Sequence, residues 1–201
     1  ETIAFFDRLR TLAADKGQLE TVNEFIGVCF DVCHQSIEFE DVAASIASLH
    51  NNAIRINKIH ITCAIELQNP GANRVACEEL VKYVEPRYMH QTFAKLASGD
   101  IISRPDLLAE DVLANADSDF MQAESWRVHF HVPVNAESLG PLSTTRPDIK
   151  AALSAVARLP YAPHLEVETY TWQVLPEQPS MSLVDGLTAE VTATQQLLAE
   201  L

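Results

Sequence analysis

The sequence predicts an α/β fold in which four parallel strands and their covering helices form half of an eight-stranded (β/α)8 barrel. Two observations support this prediction. Segments rich in β-branched and aromatic residues alternate along the chain with segments of helical periodicity, which favours parallel βαβ units. Each strand-like segment also has one apolar and one polar face, as expected for strands whose polar side chains line a barrel interior.

The strand-like segments are Ile26–Cys33, Lys58–Ala64, Arg127–Val134 and His164–Trp172. Apolar spacing and capping signals predict helices at Thr2–Asp15, Asp41–Asn51, Val75–Val84, Arg87–Ala97, Pro105–Asn115, Pro147–Arg158 and Leu183–Leu201. At the start of the sixth helix, Thr145 and Asp148 have the spacing of a capping box. An antiparallel sheet with one solvated face would also alternate, but the intervening helices argue against hairpins between these strands.

The chain is long enough for one domain over residues 1–201. Residues 68–125 exceed the length of a simple crossover and contain several turn signals. We therefore expect this segment to form a helical excursion over the barrel mouth.

The alternation of side chains divides the four strands into two sets. The apolar set suits packing beneath helices and comprises Val28, Phe30, Val32, Ile59, Ile61, Cys63, Val128, Phe130, Val132, Leu165, Val167 and Thr169. The inward set comprises Cys29, Asp31, Cys33, Lys58, His60, Thr62, Arg127, His129, His131, Glu166, Glu168 and Tyr170. Buried parallel strands are usually apolar throughout, so these polar groups require solvent, hydrogen bonds or a metal ion.

The inward set predicts a divalent-metal site at the carboxyl ends of the strands, where barrel active sites are built. The predicted metal ligands are Asp31, His60, His131 and Glu168. Mixed oxygen and nitrogen ligands favour Mn²⁺ or Zn²⁺, with Mg²⁺ as a further option. A D-x-x-H tetrapeptide alone is more often a hydrogen-bonded aspartate or a core histidine, and it is the other strands that favour a metal site.

Further residues are predicted to act around this ion. His34 and Glu168 are the candidate catalytic residues, because either side chain can move a proton. The predicted substrate-binding residues are His34, His129, Glu166, Tyr88, His90 and Arg146. Tyr88, His90 and Arg146 are candidates to contact an anionic or hydroxyl-rich ligand, and solvated loop residues are the favoured interpretation of them. Lys58 and Arg127 are predicted to counter buried carboxylates.

Composition limits the class of partner. The formal net charge of −14 and the lack of a Lys/Arg run argue against a nucleic-acid partner and favour a small-molecule metabolite. No apolar stretch is long enough to cross a bilayer and no signal-peptide pattern begins the chain, so we expect no integral membrane segment and a cytoplasmic location. The four cysteines are expected to be reduced.

Several motifs resemble a known family. GVCFDVCH followed by KIHIT is similar to the xylose-isomerase-like TIM barrels, which include sugar isomerases, epimerases and endonuclease IV. HFHVPV, GPLSTTRPD and PHLEVETYTWQVLP resemble the TIM-barrel metabolite-traffic proteins encoded in bacterial Ebo gene clusters. The resemblance runs from about Ile26 to Pro176 and implies the C-terminal half of the barrel.

The resemblance also implies that Asp31, His60 and Glu168 are metal ligands, with His34 beside the substrate or the metal. The family pattern has one more glutamate, from a strand before the first helix of this chain. We therefore expect either a homodimer or a missing N-terminal half-barrel, since a half-barrel would also expose strand edges.

Three functions follow from these expectations. The first is a metal-dependent isomerase or epimerase for a small hydroxylated metabolite, with a place in metabolite trafficking. The alternative is a carrier that binds the metabolite without turnover. The third is a phosphodiesterase similar to endonuclease IV, which the acidic charge makes the least favoured because that chemistry needs a basic groove.

Overall fold

The structure of the chain, a computed structural model, describes residues 1–113, 118–176 and 182–201. Its helices are α1 Thr2–Asp15, α2 Leu19–Phe25, α3 Val32–Ile37, α4 Val42–Asn51, α5 Arg74–Val81, α6 Ala109–Leu113, α7 Arg146–Val156 and α8 Leu183–Ala199. Its strands are β1 Val28–Asp31, β2 Ile56–Ile61, β3 Cys63–Gln68, β4 Thr92–Lys95, β5 Ile101–Arg104, β6 Ser125–Val132, β7 Ser138–Leu139, β8 Leu142–Thr144 and β9 His164–Val167.

The strands form two sheets, and the predicted half-barrel of four parallel strands is therefore wrong. Strands β1, β2 and β9 form a parallel sheet in the order β1-β2-β9. The other described strands form an antiparallel sheet in the order β5-β4-β6-β3-β8-β7. Strand β6, predicted to lie parallel to the others, belongs to the antiparallel sheet and pairs with β3 and β4.

The two sheets are connected where β2 passes into β3. Only Thr62 separates these strands, so the predicted strand Lys58–Ala64 spans the junction. Beyond Thr62 the chain continues as β3, between β6 and β8, and both of these neighbours are antiparallel to it. A single extended stretch thus serves both sheets, which a barrel of uniform βαβ units would not allow.

The segment 68–125 contributes strands as well as helices. The predicted helix Arg87–Ala97 is wrong, because Thr92–Lys95 pairs with β5 on one side and β6 on the other. The turn between β4 and β5 contains Gly99, whose positive φ of 90° suits glycine. The predicted helix Pro105–Asn115 is confirmed over Ala109–Leu113, and Asn115 lies outside the described residues.

The other predicted helices are found close to their expected bounds, as α1, α4, α5, α7 and α8. Helices α2 and α3 were not predicted. The capping box before α7 is wrong: the Thr145 hydroxyl accepts the Ala64 backbone N–H at 2.9 Å, and the Asp148 N–H donates to the Thr145 carbonyl. Thr145 therefore connects this helix to β3.

The apolar strand faces pack under the helices as predicted. Fully buried members of the core include Ile59, Ile61, Val128, Phe130 and Val132, which belong to both sheets. Helices α4 and α7 pack on each other, and α3 packs against both sheets. Burial of a branched or aromatic side chain contributes roughly 1.5–3 kcal/mol, so contacts within this shared core stabilise both sheets.

Helix α8 is attached to the sheets through a buried carboxylate. Glu190 accepts the Val134 N–H at 3.0 Å, the Thr169 hydroxyl at 2.5 Å and the Trp172 indole N–H at 2.8 Å. Burial raises the pKa of Glu190, although the three hydrogen bonds act in the opposite direction. Val134 follows β6, and Thr169 and Trp172 follow β9, so Glu190 holds the residues after both strands against α8.

None of the described helices has the length and apolar composition needed to cross a bilayer.

Gly186 allows Trp172 to pack directly on α8, and we expect Gly186→Ala to destabilise the protein. A Cβ at this position would lie 2.5 Å from the Trp172 ring, a contact that forces the helix or the indole to move. Overpacking of this kind costs about 1–3 kcal/mol, which exceeds the gain of about 1 kcal/mol that alanine offers in a helix. Denaturant unfolding measures the difference.

The exposed substitution Thr188→Ala on the same helix is the control, and it should change the free energy of unfolding by less than about 0.5 kcal/mol. A Gly186→Ala protein more stable than the wild type would contradict the packing argument.

Candidate metal centre

Three strands of the parallel sheet bring polar side chains into one row. Asp31 pairs with His60 across β1 and β2, and His60 pairs with Glu166 across β2 and β9. Glu168 follows β9 directly, because this strand ends at Val167 rather than continuing to Trp172 as predicted. The carboxyl ends of parallel strands lie at one edge of a sheet, so these side chains meet there.

Asp31, His60 and Glu168 form a group that could hold a metal ion. His60 Nδ1 lies 3.3 Å from Asp31 Oδ2 and 3.2 Å from Glu168 Oε2. One ligand atom from each of the three residues lies within 4.8 Å of the others. Four tetrahedral ligands at a metal distance of about 2.0–2.1 Å lie about 3.3 Å apart, so the residues fit an ion of this kind.

Hydrogen bonds orient Asp31 towards this group. Its Oδ1 accepts the Thr62 hydroxyl at 2.7 Å and the His34 backbone N–H at 3.2 Å, which makes Asp31 the N-cap of α3. Burial by itself raises the pKa of Asp31, but the Thr62 hydrogen bond and the nearby His131 and His34 lower it below its usual value. Asp31 is thus kept ionised, with Oδ2 directed to His60.

The Thr62 hydroxyl has two roles, because it also accepts the Cys33 backbone N–H at 2.9 Å. Thr62 is fully buried, and its inward orientation was predicted from strand parity. Its function as the support of Asp31 was missed. Nothing in the sequence around Thr62 indicates this role. The helix cap at Asp31 could have been predicted, because aspartate is a common N-cap residue at the start of a helix.

Strand β6 places His129 and His131 beside the first group. His131 Nδ1 lies 2.7 Å from the Glu168 carbonyl oxygen and 3.7 Å from Glu168 Oε2. His131 also forms a possible ligand group with Asp31 and His34. Burial lowers the pKa of His131 despite the nearby carboxylates, and burial together with His131 and His34 lowers the pKa of His129 to about 4. Both imidazoles are therefore neutral at pH 7, the form that binds metal.

Glu166 pairs with a lysine and lies at the margin of the candidate ligand groups. Its carboxylate pairs with Lys58 at 2.7 Å and lies 3.8 Å from His60 Nε2. The hydrogen bond from Lys58 lowers the pKa of Glu166. Lys58 therefore counters a partly exposed carboxylate rather than a buried one. Arg127 has the predicted role, because it pairs with the part-buried Glu66 and Asp148, which lie outside the candidate ligand groups.

The loop residues predicted to bind substrate divide into two cases. The ring of Tyr88 packs edge-on against the ring of Tyr170, with centroids 5.0 Å apart. The centroid of the Tyr170 ring is 4.5 Å from that of His131, so Tyr170 connects Tyr88 of the 68–125 segment to the candidate ligand groups. His90 is buried against Phe130, and Arg146 binds the Val134 carbonyl and Glu137. The described contacts of His90 and Arg146 are therefore with structural neighbours.

A cleft of about 580 Å³ opens beside Asp31 and His34. The side chain of His34 is 56 % exposed, and its Nε2 lies 3.9 Å from Asp31 Oδ2. The described residues that line the cleft include hydroxyl and carboxyl groups but no lysine or arginine: Glu1, Thr2, Ile3, Val28, Cys29, Phe30, Asp31, His34, Gln35, Glu38, Glu40, Ser45, Ser48 and Leu49. Burial and the neighbouring Glu40 and Glu1 raise the pKa of Glu38.

Comparison of the chain with protein-family models, with curated proteins and with solved structures finds no match. The resemblance to the xylose-isomerase-like proteins therefore stays a prediction.

We expect Thr62→Val to weaken both the fold and the metal centre. Valine keeps the shape of threonine but leaves the Cys33 N–H without its acceptor and Asp31 without its hydroxyl donor. An unsatisfied buried group costs about 1–3 kcal/mol, and the loss of a residue that orients a ligand weakens metal affinity about 10–100-fold. Denaturant unfolding and Mn²⁺ titration followed by electron paramagnetic resonance measure the two effects.

Thr62→Ser is the matched variant, because serine retains the hydroxyl and should preserve most of the Mn²⁺ affinity. Equal Mn²⁺ affinity in the valine and serine variants would show that the hydroxyl does not orient Asp31.

Proposed function

We propose that this protein is a divalent-metal-dependent isomerase or epimerase acting on a small hydroxylated metabolite. The observation that carries the proposal is the arrangement of Asp31 and Glu168 around His60 Nδ1 at the carboxyl ends of parallel strands, next to a cleft. Metal sites and active sites of α/β proteins are commonly built at this edge of a sheet.

Asp31, His60 and Glu168 would hold the ion, and Mn²⁺ or Zn²⁺ suits their mixed oxygen and nitrogen atoms better than Mg²⁺. The bound ion would polarise an adjacent carbonyl or hydroxyl oxygen of the substrate. The same atoms could instead form a hydrogen-bonded group without metal, in which His60 Nδ1–H lies between the two carboxylates. Metal titration distinguishes the metal site from this hydrogen-bonded group.

His34 is the residue best placed to move a proton. It lies on the cleft wall and exposes its imidazole, whereas Glu168 faces His60. In an isomerisation between neighbouring carbons, a C–H bond next to a carbonyl breaks and its electron pair moves towards the carbonyl oxygen. The imidazole takes up the proton and returns it to the former carbonyl carbon, while the proton of the adjacent hydroxyl moves to the former carbonyl oxygen. Hydroxyl and carbonyl thereby exchange places, and one base serves both C–H steps.

The acidic lining of the cleft favours an uncharged, hydroxyl-rich substrate. Its described lining has three glutamates and one aspartate but no lysine or arginine, which disfavours a phosphate or carboxylate ligand. Ser45, Ser48 and Gln35 are suitable partners for hydroxyl groups. The same acidity disfavours a phosphodiesterase, because a nucleic-acid backbone requires cationic contacts.

The wild type should bind one equivalent of Mn²⁺, and Asp31→Ala/His60→Ala should lose that equivalent, because only one ligand of the group then remains. Titration followed by the electron paramagnetic resonance of free Mn²⁺ measures the stoichiometry. The control is Asp7→Ala/His50→Ala, which removes the same two side-chain types from exposed positions on α1 and α4. A wild type that folds but does not bind Mn²⁺ would contradict the proposal.

His34→Asn should slow proton transfer strongly but leave the Mn²⁺ affinity close to that of the wild type, since the backbone N–H that caps Asp31 is retained. The readout is the incorporation of solvent deuterium into a panel of unphosphorylated aldoses and ketoses, followed by nuclear magnetic resonance. We expect the rate to fall about 10²- to 10⁴-fold, as for the loss of a general base.

His50→Asn, on the exposed face of α4, is the control for that experiment. Saturable sugar binding without deuterium incorporation in the wild type would instead identify a carrier and refute the enzymatic proposal.

A further inference from the structure

We propose that Cys33, His129 and His131 hold a second metal ion, softer in its preferences than the ion at Asp31, His60 and Glu168. The inference deepens the proposed function, on which it rests, by making the centre binuclear. The two groups have no residue in common, so neither ion would have to share a ligand with the other.

The backbone brings these residues together from two elements. Cys33 lies in the first turn of α3, two residues after Asp31. His129 and His131 alternate along β6 and therefore lie on the same face of this strand. One ligand atom from each of the three residues lies within 4.8 Å of the others.

The hydrogen bonding of His131 directs its lone pair into this group. Nδ1 lies 2.7 Å from the Glu168 carbonyl oxygen, which can only accept, so Nδ1 carries the ring proton. Nε2 is therefore unprotonated in the neutral ring, and it lies 3.3 Å from His129 Nε2. That separation matches the edge of about 3.3 Å expected between two imidazole ligands of a tetrahedral ion.

The thiol of Cys33 differs from the other buried thiols in its surroundings. Cys63 and Cys77 each lie within hydrogen-bond distance of a backbone carbonyl that accepts from their S–H. Cys33 is fully buried, and among the described residues no hydrogen-bond partner of its sulfur is found. It lies instead beside two imidazoles, where loss of the S–H proton on metal binding would provide a thiolate ligand.

The donor set indicates the kind of ion. One thiolate and two imidazoles suit Zn²⁺, and Co²⁺ substitutes for it spectroscopically, whereas Mn²⁺ prefers oxygen ligands. Three protein ligands leave a fourth position for water or substrate, as in catalytic zinc sites.

His34 connects the two groups. Its ring is 4.5 Å from that of His129, and its Nε2 is 3.9 Å from Asp31 Oδ2. Asp31, His34 and His131 also form a possible ligand group of their own, which draws one residue from each of the two metal groups. The ligand class that fits such a centre is a molecule with two neighbouring oxygen donors, such as a vicinal diol or an α-hydroxycarbonyl compound.

Titration of the metal-free protein with Co²⁺ tests the inference. We expect two equivalents to bind to the wild type, with thiolate-to-cobalt charge-transfer absorption in the near ultraviolet. Cys33→Ser should bind one equivalent and lose this absorption, and His129→Ala, in which the thiol remains, should also lose one equivalent. Cys77→Ser, which removes a buried thiol outside the ligand groups, should behave as the wild type.

The variant Asp31→Ala/His60→Ala separates this inference from the proposed function. It should keep one equivalent of Co²⁺ together with the charge-transfer absorption, although it no longer binds Mn²⁺. A wild type that binds Mn²⁺ but shows no thiolate absorption with Co²⁺, or an absorption that persists in folded Cys33→Ser, would refute the second ion and leave the first intact. Circular dichroism of each variant establishes that it is folded.

Discussion

The arrangement of the candidate metal centre depends on two hydrogen bonds of the Thr62 hydroxyl. Thr62 is the single residue between β2 of the parallel sheet and β3 of the antiparallel sheet. It donates to Asp31 and accepts from the Cys33 N–H, so it connects this junction to the end of β1 and the start of α3. Because one fully buried hydroxyl uses both its donor and an acceptor position, the orientation of Asp31 and the location of Cys33 are coupled.

Two carboxylates lie on either side of one imidazole near this junction. Asp31 and Glu168 both lie close to His60, and the one lysine of the neighbouring strand face, Lys58, is paired with Glu166. Despite burial, the Thr62 hydroxyl and the nearby His131 and His34 lower the pKa of Asp31, so this carboxylate is ionised near pH 7. His60 Nδ1 lies between the two carboxylates and can separate them as a hydrogen-bond donor or, in the proposed centre, as a further ligand of a divalent ion.

Strand parity predicted much of the centre, because the alternation of side chains depends only on local backbone geometry. Asp31, His60 and Glu168 were placed together by this argument, and the structure groups their ligand atoms within 4.8 Å. Parity does not encode strand direction, however, and HFHV alternates equally well in an antiparallel strand. The direction of β6 was set by its pairing with β3 and β4, two strands that were not predicted.

Those two strands were missed for different physical reasons. In β3, the residues CAIELQ follow β2 after one residue, so no turn signal marks a new element. In β4, the residues TFAK lie in a polar segment with helix-forming neighbours, and cross-strand pairing with β5 and β6 overrides that local preference. Local propensity cannot represent the pairing with β6, because Ser125–Val132 lies far from Thr92–Lys95 in the chain.

The antiparallel direction of β6 has a consequence for the chemistry of the centre. Strand β6 runs against β3 and packs on α3, and its polar face lies beside Cys33 and His34 at the start of that helix. The imidazoles of His129 and His131 therefore reach the centre from the antiparallel sheet, whereas Asp31, His60 and Glu168 reach it from the strands of the parallel sheet and the residue after β9. A fourth parallel strand, as predicted, would instead have continued the row of the parallel sheet.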